Sequence, residues 1–121
     1  MGVIKNKPAY YRRKADEAMQ IAGRLKYKRC EICGGEMSCM HHYFPKSTAS
    51  ALRYDEDNLI PICVGCHFRH HNGDPRIHAE VLQIRGMEWH KKLAKKKETI
   101  QKASLGYYKE IINKYKQNES S

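Results

Sequence analysis

Two Cys-x-x-Cys pairs, Cys30-Glu-Ile-Cys33 and Cys63-Val-Gly-Cys66, stand 29 residues apart in this chain. A two-residue spacer lets one tight turn present two thiolates. Two such turns together meet the demand of tetrahedral zinc for four sulfur ligands at about 2.3 Å. The intervening segment must then leave the site and return to it, so a structural Zn²⁺ closes a large loop and becomes a folding element. The competing reading, two redox pairs, lacks the thioredoxin-like setting that such motifs need. A chain of 121 residues with 40% hydrophobic side chains has room for a single domain with a small core, a size at which a metal commonly supplements burial. The fifth cysteine, Cys39, is left over, and a small buried thiol is the commoner fate of such a residue.

Partner classes follow from charge. The formal net charge is +10, and it is unevenly spread: residues 1–29 hold nine basic and two acidic side chains, residues 30–86 five and seven, residues 87–121 nine and four. Two basic flanks around a near-neutral centre suit a polyanion gripped on either side of the chemistry, although charge alone does not separate nucleic acid from an anionic membrane surface. No window approaches the roughly 20 apolar residues needed to span a bilayer, and Met1 to Ala9 has no signal-peptide run. The expectation is a cytoplasmic protein with no membrane partner and reduced cysteines.

Periodicity divides residues 1–121, read as one domain, into three parts. Residues 10–28 are predicted helical, with Ala15, Ala18, Met19, Ala22 and Leu25 at three- and four-residue steps and a basic opposite face. Residues 30–73 form the compact centre. There Met40 to Phe44 and Leu59 to Ile62 read as the strands of a hairpin whose loop runs from Pro45 to Asp57, and Cys63 to His71 starts a helix stopped by Asn72-Gly73-Asp74-Pro75. In the third part, residues 76–118, a short helix Ile77 to Ile84 ends at Gly86 and a long C-terminal helix runs from Met87 to Asn118, weakened at Gly106. The stripe Tyr107, Tyr108, Ile111, Ile112 and Tyr115 wants a partner surface, either by folding back on the core or by pairing with a second copy. The fold class is therefore α+β: a small ββα core with a four-cysteine zinc site between an N-terminal helix and a long C-terminal one.

Histidines crowd the same centre. His41 and His42 end the first strand, Asn58 opens the second and can face His42 across the hairpin, and His67 and His71, four apart, share one helical face. His41, His67 and His71 together offer a three-histidine divalent-metal site with open positions for a phosphate oxygen and water. His42, on the other side of the strand, is then free to act as a base, which an imidazole does near neutral pH. His70 and His78 are given the plainer reading, surface histidines or substitute ligands in a single zinc site.

The run Cys30-x-x-Cys33, His41-His42, Asn58-Leu59-Ile60-Pro61-Ile62-Cys63-x-x-Cys66-His67 and His71 resembles the HNH, or ββα-metal, nucleases framed by two zinc knuckles. Within them the chain is similar to the phage NinG (Rap) recombination proteins, through Ala15-Asp16, His42-Tyr43, Leu52 to Asn58 and Gly73. The resemblance implies that His42 activates water, that Asn58 holds the base in orientation, and that His41, His67 and, in some branches, His71 hold one divalent ion. That ion is Mg²⁺ or Mn²⁺ by habit of the family, with Ni²⁺ or Zn²⁺ favoured by imidazole ligands. It further implies hydrolysis of DNA, duplex or branched, in phage recombination within a bacterial cytoplasm, with a homodimer through the C-terminal helix supplying two matched cuts. NinG-like proteins often carry asparagine where this chain has His67.

Other readings compete. A packaging or homing type of nicking HNH enzyme keeps the chemistry and changes the biology, RNA offers the same phosphodiester, and a non-catalytic zinc module would bind DNA through its basic helices without cutting it.

Overall fold

The computed structural model describes residues 7–120 except Thr48 and Ala103, and not the side chains of His71 or residues 117–120. The first helix, α1 (Pro8–Lys26), starts with proline in its first turn, where a missing N–H costs nothing, and ends with Arg24 and Lys26 against its negative pole. Two strands follow, β1 (Cys39–His42) and β2 (Leu59–Ile62), paired antiparallel with His41 opposite Ile60 and His42 opposite Leu59. The connecting loop contains two single turns of 3₁₀ helix, Ser50–Leu52 and Glu56–Asn58. Then come α2 (Val64–His71), α3 (Arg76–Arg85), α4 (Met87–Lys97) and α5 (Leu105–Ser120). Among the described residues no helix is long and apolar enough to cross a membrane.

Strand alternation divides the core in two. Ile60 and Ile62 join Leu52, Tyr43, Ile77, Val81 and Leu93 on the face covered by α2, α3 and α4. Met40 and Leu59 turn the other way and join Ala15 and Met19 of α1 and Tyr108 and Tyr115 of α5. By the same alternation His41 faces α2 and α3 while its neighbour His42 faces α1.

A two-stranded sheet has only outer edges, and both are covered here. Pro61 cannot donate to its partner Met40, whose backbone N–H and C=O instead face outward and are both bound at 2.9 Å by the side-chain amide of Gln20 from α1. On the opposite edge Glu31 N–H donates to Pro61 O at 2.9 Å, joining the first cysteine turn to β2. At Gly23 the helix comes so close to β1 that a Cβ would overlap the Met40 side chain.

The expected long C-terminal helix is broken. α4 ends at Lys97 and α5 begins after Ser104, whose hydroxyl caps it by accepting the Tyr107 N–H at 3.2 Å. Gln101 N–H donates to Ser50 Oγ at 3.1 Å within the break, which fixes the reversal against the hairpin loop. α5 then packs along α1 and places Tyr107, Tyr108, Ile111, Ile112 and Tyr115 in the second core cluster. The apolar stripe is thus covered within the chain.

Candidate active site and metal centres

The two cysteine turns meet beside β2. In the first, Gly34 takes a positive φ of 77°, which lets Cys30 N–H donate to Gly35 O at 2.7 Å and closes the turn. In the second, Cys63 is the N-cap of α2, and its sulfur accepts the Cys66 N–H at 3.4 Å. That hydrogen bond pulls the Cys63 thiol down to about 7, toward the thiolate a metal requires. The Sγ atoms of Cys30 and Cys66 are 3.8 Å apart and those of Cys33 and Cys63 are 3.5 Å apart. Four sulfurs around one tetrahedral zinc sit about 3.8 Å from one another by the bond length alone, so the group Cys30, Cys33, Cys63 and Cys66 fits a structural zinc. Cys39 stays outside it and packs, partly buried, against the first core cluster.

Asn58 is fully buried and holds the mouth of the loop shut. Its Oδ1 accepts the Phe44 N–H at 2.8 Å, and its Nδ2 donates to Phe44 O at 3.1 Å and Leu52 O at 3.2 Å. The loop in turn holds His42, whose Nε2 lies 2.8 Å from the Arg53 carbonyl oxygen. A carbonyl only accepts, so Nε2 carries the proton, and in the neutral ring Nδ1 keeps a lone pair. Burial lowers the pKa of His42 and outweighs the carbonyl bond, which keeps the ring neutral at physiological pH.

Arg53 is itself anchored. Its Nε and Nη2 donate to the two oxygens of Asp16 on α1 at 3.0 and 2.6 Å, and the Tyr54 hydroxyl donates to Oδ1 at 2.8 Å. Burial pushes the Asp16 carboxyl up, but the Arg53 and Tyr54 hydrogen bonds and the guanidinium charge win and leave it below the ordinary value. In the sequence, Asp16 and Arg53 stand out only as parts of resembling stretches. Their pairing across 37 residues has no local signature.

The pair yields a stability prediction. Because the folded carboxyl titrates lower than the unfolded one, its contribution is present above about pH 3.9 and fades as pH falls through the folded value. At pH 7 it is fully present, so Asp16→Asn is expected to cost about 1.5–3 kcal/mol, a drop in Tm of roughly 5–15 °C. An unchanged melting curve would show that the clamp adds nothing to stability.

On the other face of β1 three imidazoles converge. His41, 8% exposed, lies with its ring centroid 4.0 Å from that of His70 on α2 and 6.2 Å from that of His78 on α3. Nitrogens of His41, His70 and His78 all lie within 4.8 Å of one another. Burial drives the pKa of His41 down to about 3, with the neighbouring His70, His78 and His67 adding to it. His67, the expected ligand, has its ring 6.3 Å from that of His41, and the side chain of His71 lies outside the described ones. Among the described residues the three-histidine group is therefore His41, His70 and His78, the last two of which have only the plainer reading by sequence pattern alone.

Residues 30–73 match the HNH endonuclease family. The HNH segment spans both cysteine turns, the hairpin and α2, and ends before α3. It points to metal-dependent nuclease chemistry and to DNA as the partner. No curated protein and no solved structure matches the chain. The fold around the HNH segment is built from the other residues: α1 braces the His42 face, and α3 and α4 close the His41 face. Arg85 of α3 ties these parts together, donating to both Glu31 oxygens at 2.6 and 2.7 Å, to Asp57 O at 2.9 Å and to Leu59 O at 3.1 Å.

Proposed function

We propose that the protein is a metal-dependent DNA endonuclease in which His42 is the general base. The observation that carries this reading is the single hydrogen bond from His42 Nε2 to the Arg53 carbonyl, inside a segment matching HNH endonucleases. It leaves Nδ1 basic and the ring fixed in direction. Hydrolysis then forms a bond from the water oxygen to phosphorus, breaks the bond to the 3′-oxygen, and moves the proton of water to His42 Nδ1; solvent protonates the departing oxygen. His41, with His70 and His78, would hold a divalent ion, which would supply Lewis-acid polarisation of the scissile phosphate. Asn58 and the Asp16–Arg53 clamp act through His42: Asn58 ties the mouth of the loop to Phe44, and the clamp fixes Arg53, whose carbonyl orients the ring.

Exposed Arg12, Arg13 and Lys14 on α1 and Lys91, Lys92 and Lys95 on α4 are the phosphate grips of this proposal. If they neutralise about six phosphates, binding should fall roughly a thousandfold between about 50 and 200 mM salt. A flat salt titration would rule these residues out as grips. No base-reading helix is needed, and DNA shape would then select the substrate.

The finer reading, branched DNA cut symmetrically by a homodimer in phage recombination, rests on the sequence resemblance. A dimer would need a face other than the stripe of α5 spent on α1. The deciding experiment incubates zinc-loaded protein with labelled linear duplex, nicked duplex and four-way junction, adding Mg²⁺, Mn²⁺ or Ni²⁺ in turn. Paired cuts confined to the junction support the finer reading, and cuts in all three support a general HNH nuclease. Binding without cleavage under every ion would replace the nuclease with a non-catalytic zinc module.

A further inference from the structure

We propose that His41, His70 and His78 form a second metal site, a neutral three-imidazole set selective for borderline divalent ions, with His78 supplied by α3 from outside the HNH segment. Two atoms carry the inference. Nε2 of His41 and Nε2 of His78 are both buried and both lack a hydrogen-bond partner among the described residues. A buried polar nitrogen left unpaired costs about 1–3 kcal/mol and is rare in folded proteins. Here two of them, from different elements, belong to rings that meet a third imidazole with donor atoms inside a 4.8 Å group. One shared cation satisfies both.

The positions are held by structure independent of the ion. The Tyr43 ring stacks on His78 with centroids 4.9 Å apart and 30° between planes, and the hydroxyl of Tyr43 is hydrogen-bonded to His90 Nδ1 at 2.8 Å. The rings of His70 and His78 are stacked at 5.5 Å and 17°. α3 itself is fixed to the first cysteine turn and to β2 by Arg85. An unsupported surface histidine has none of this scaffolding.

Donor chemistry sets the ion class. The group contains no carboxylate, and Mg²⁺ prefers oxygen ligands, whereas imidazole suits Zn²⁺, Ni²⁺, Co²⁺ and, less strongly, Mn²⁺. As the ion of the nuclease this site rests on the proposed function, but ion binding itself does not.

The test counts ions. Protein carrying one equivalent of zinc in the cysteine site is titrated with Ni²⁺ by calorimetry, and bound metal is measured after dialysis. Wild type should take up one further ion, and His78→Ala should weaken it at least a hundredfold with the Trp89 emission unchanged. In case truncation disturbs the packing on Tyr43, ¹⁵N-histidine spectra of the wild type give a second readout: zinc added beyond the first equivalent should shift the Nε2 signals of both His41 and His78. Wild-type affinity in the His78→Ala protein overturns the site, as does a wild type that binds only one ion or a His78 signal that zinc does not move. Cleavage measured on the same samples separates the two claims. Two bound ions without any cutting would sink the nuclease and leave the site standing, and undiminished Ni²⁺ binding and cutting in His78→Ala would do the reverse.

Discussion

Stripping zinc from this protein under reducing conditions should unfold the HNH segment and carry the helices with it. A structural zinc bound by thiolates contributes about 10–16 kcal/mol to folding in small domains, while a whole domain of this size is stable by about 5–15 kcal/mol. The ion's contribution is thus about as large as the net stability of the whole domain. Cys30 and Cys66 are themselves members of the first core cluster, so losing the metal also leaves two ligand thiols competing with the apolar packing around them. Unfolding should not stop there, since Met37, Met40 and Leu59 of the same segment form the floor on which α1 and α5 pack. The lone tryptophan reports the event: Trp89 lies 4.7 Å from the Tyr43 ring and donates from Nε1 to Asp57 O at 2.9 Å, so its emission should move to the red on chelation and return when zinc is restored. Cys30→Ser should behave as the stripped protein does at neutral pH. Cys39→Ser, outside the group, should keep its zinc and lose about 1–2 kcal/mol at most. If apo protein melts as the zinc form does, the four thiols are not a folding site and the core stands without them.

Those thiols show what kind of information the sequence carries plainly. Each cysteine pair is a local object whose spacing is a chemical requirement, and the hairpin between them follows from apolar runs of strand length bounded by turn residues. The same locality makes α2 readable down to its cap, Cys63. Legibility ends where the structure depends on contacts between distant segments. The periodicity of residues 87–118 runs on past Lys97 although Ser104 and Gly106 are local signs of a break; the reversal is fixed by the Ser50 contact and by the surface that α1 offers to α5. Gln20 looks like an ordinary polar helix residue until it is seen bracketing Met40. The histidines divide in the same way. His41 and His42 follow from strand alternation, but helical spacing pairs His67 with His71, whereas the group that forms around His41 depends on how α3 packs on α2, where Arg69 pairs with Glu80, and on the tie from Arg85 to Glu31, 54 residues away.

The second large effect is chemical. His42→Ala should lower the rate of DNA cleavage by about a hundredfold to ten-thousandfold, the range assigned to a general base, equivalent to about 3–5.5 kcal/mol of activation free energy. Stability should change far less. The ring is half-buried and its hydrogen bond goes to the Arg53 carbonyl, so truncation leaves one acceptor to water at a cost of about 1 kcal/mol. The proposed grips on α1 and α4 are untouched, and DNA affinity should stay within about twofold. Two further measurements separate a missing base from a displaced one. Free imidazole added to His42→Ala should recover part of the rate, because the vacated space lies between an intact loop and the intact strand. Asp16→Asn, which loosens Arg53 while keeping the imidazole, should lower the rate less than His42→Ala does and should gain nothing from added imidazole. Cleavage by His42→Ala at the wild-type rate would show that the hydrogen-bonded ring merely packs, and the water-activating group would then have to be sought on the opposite face of β1.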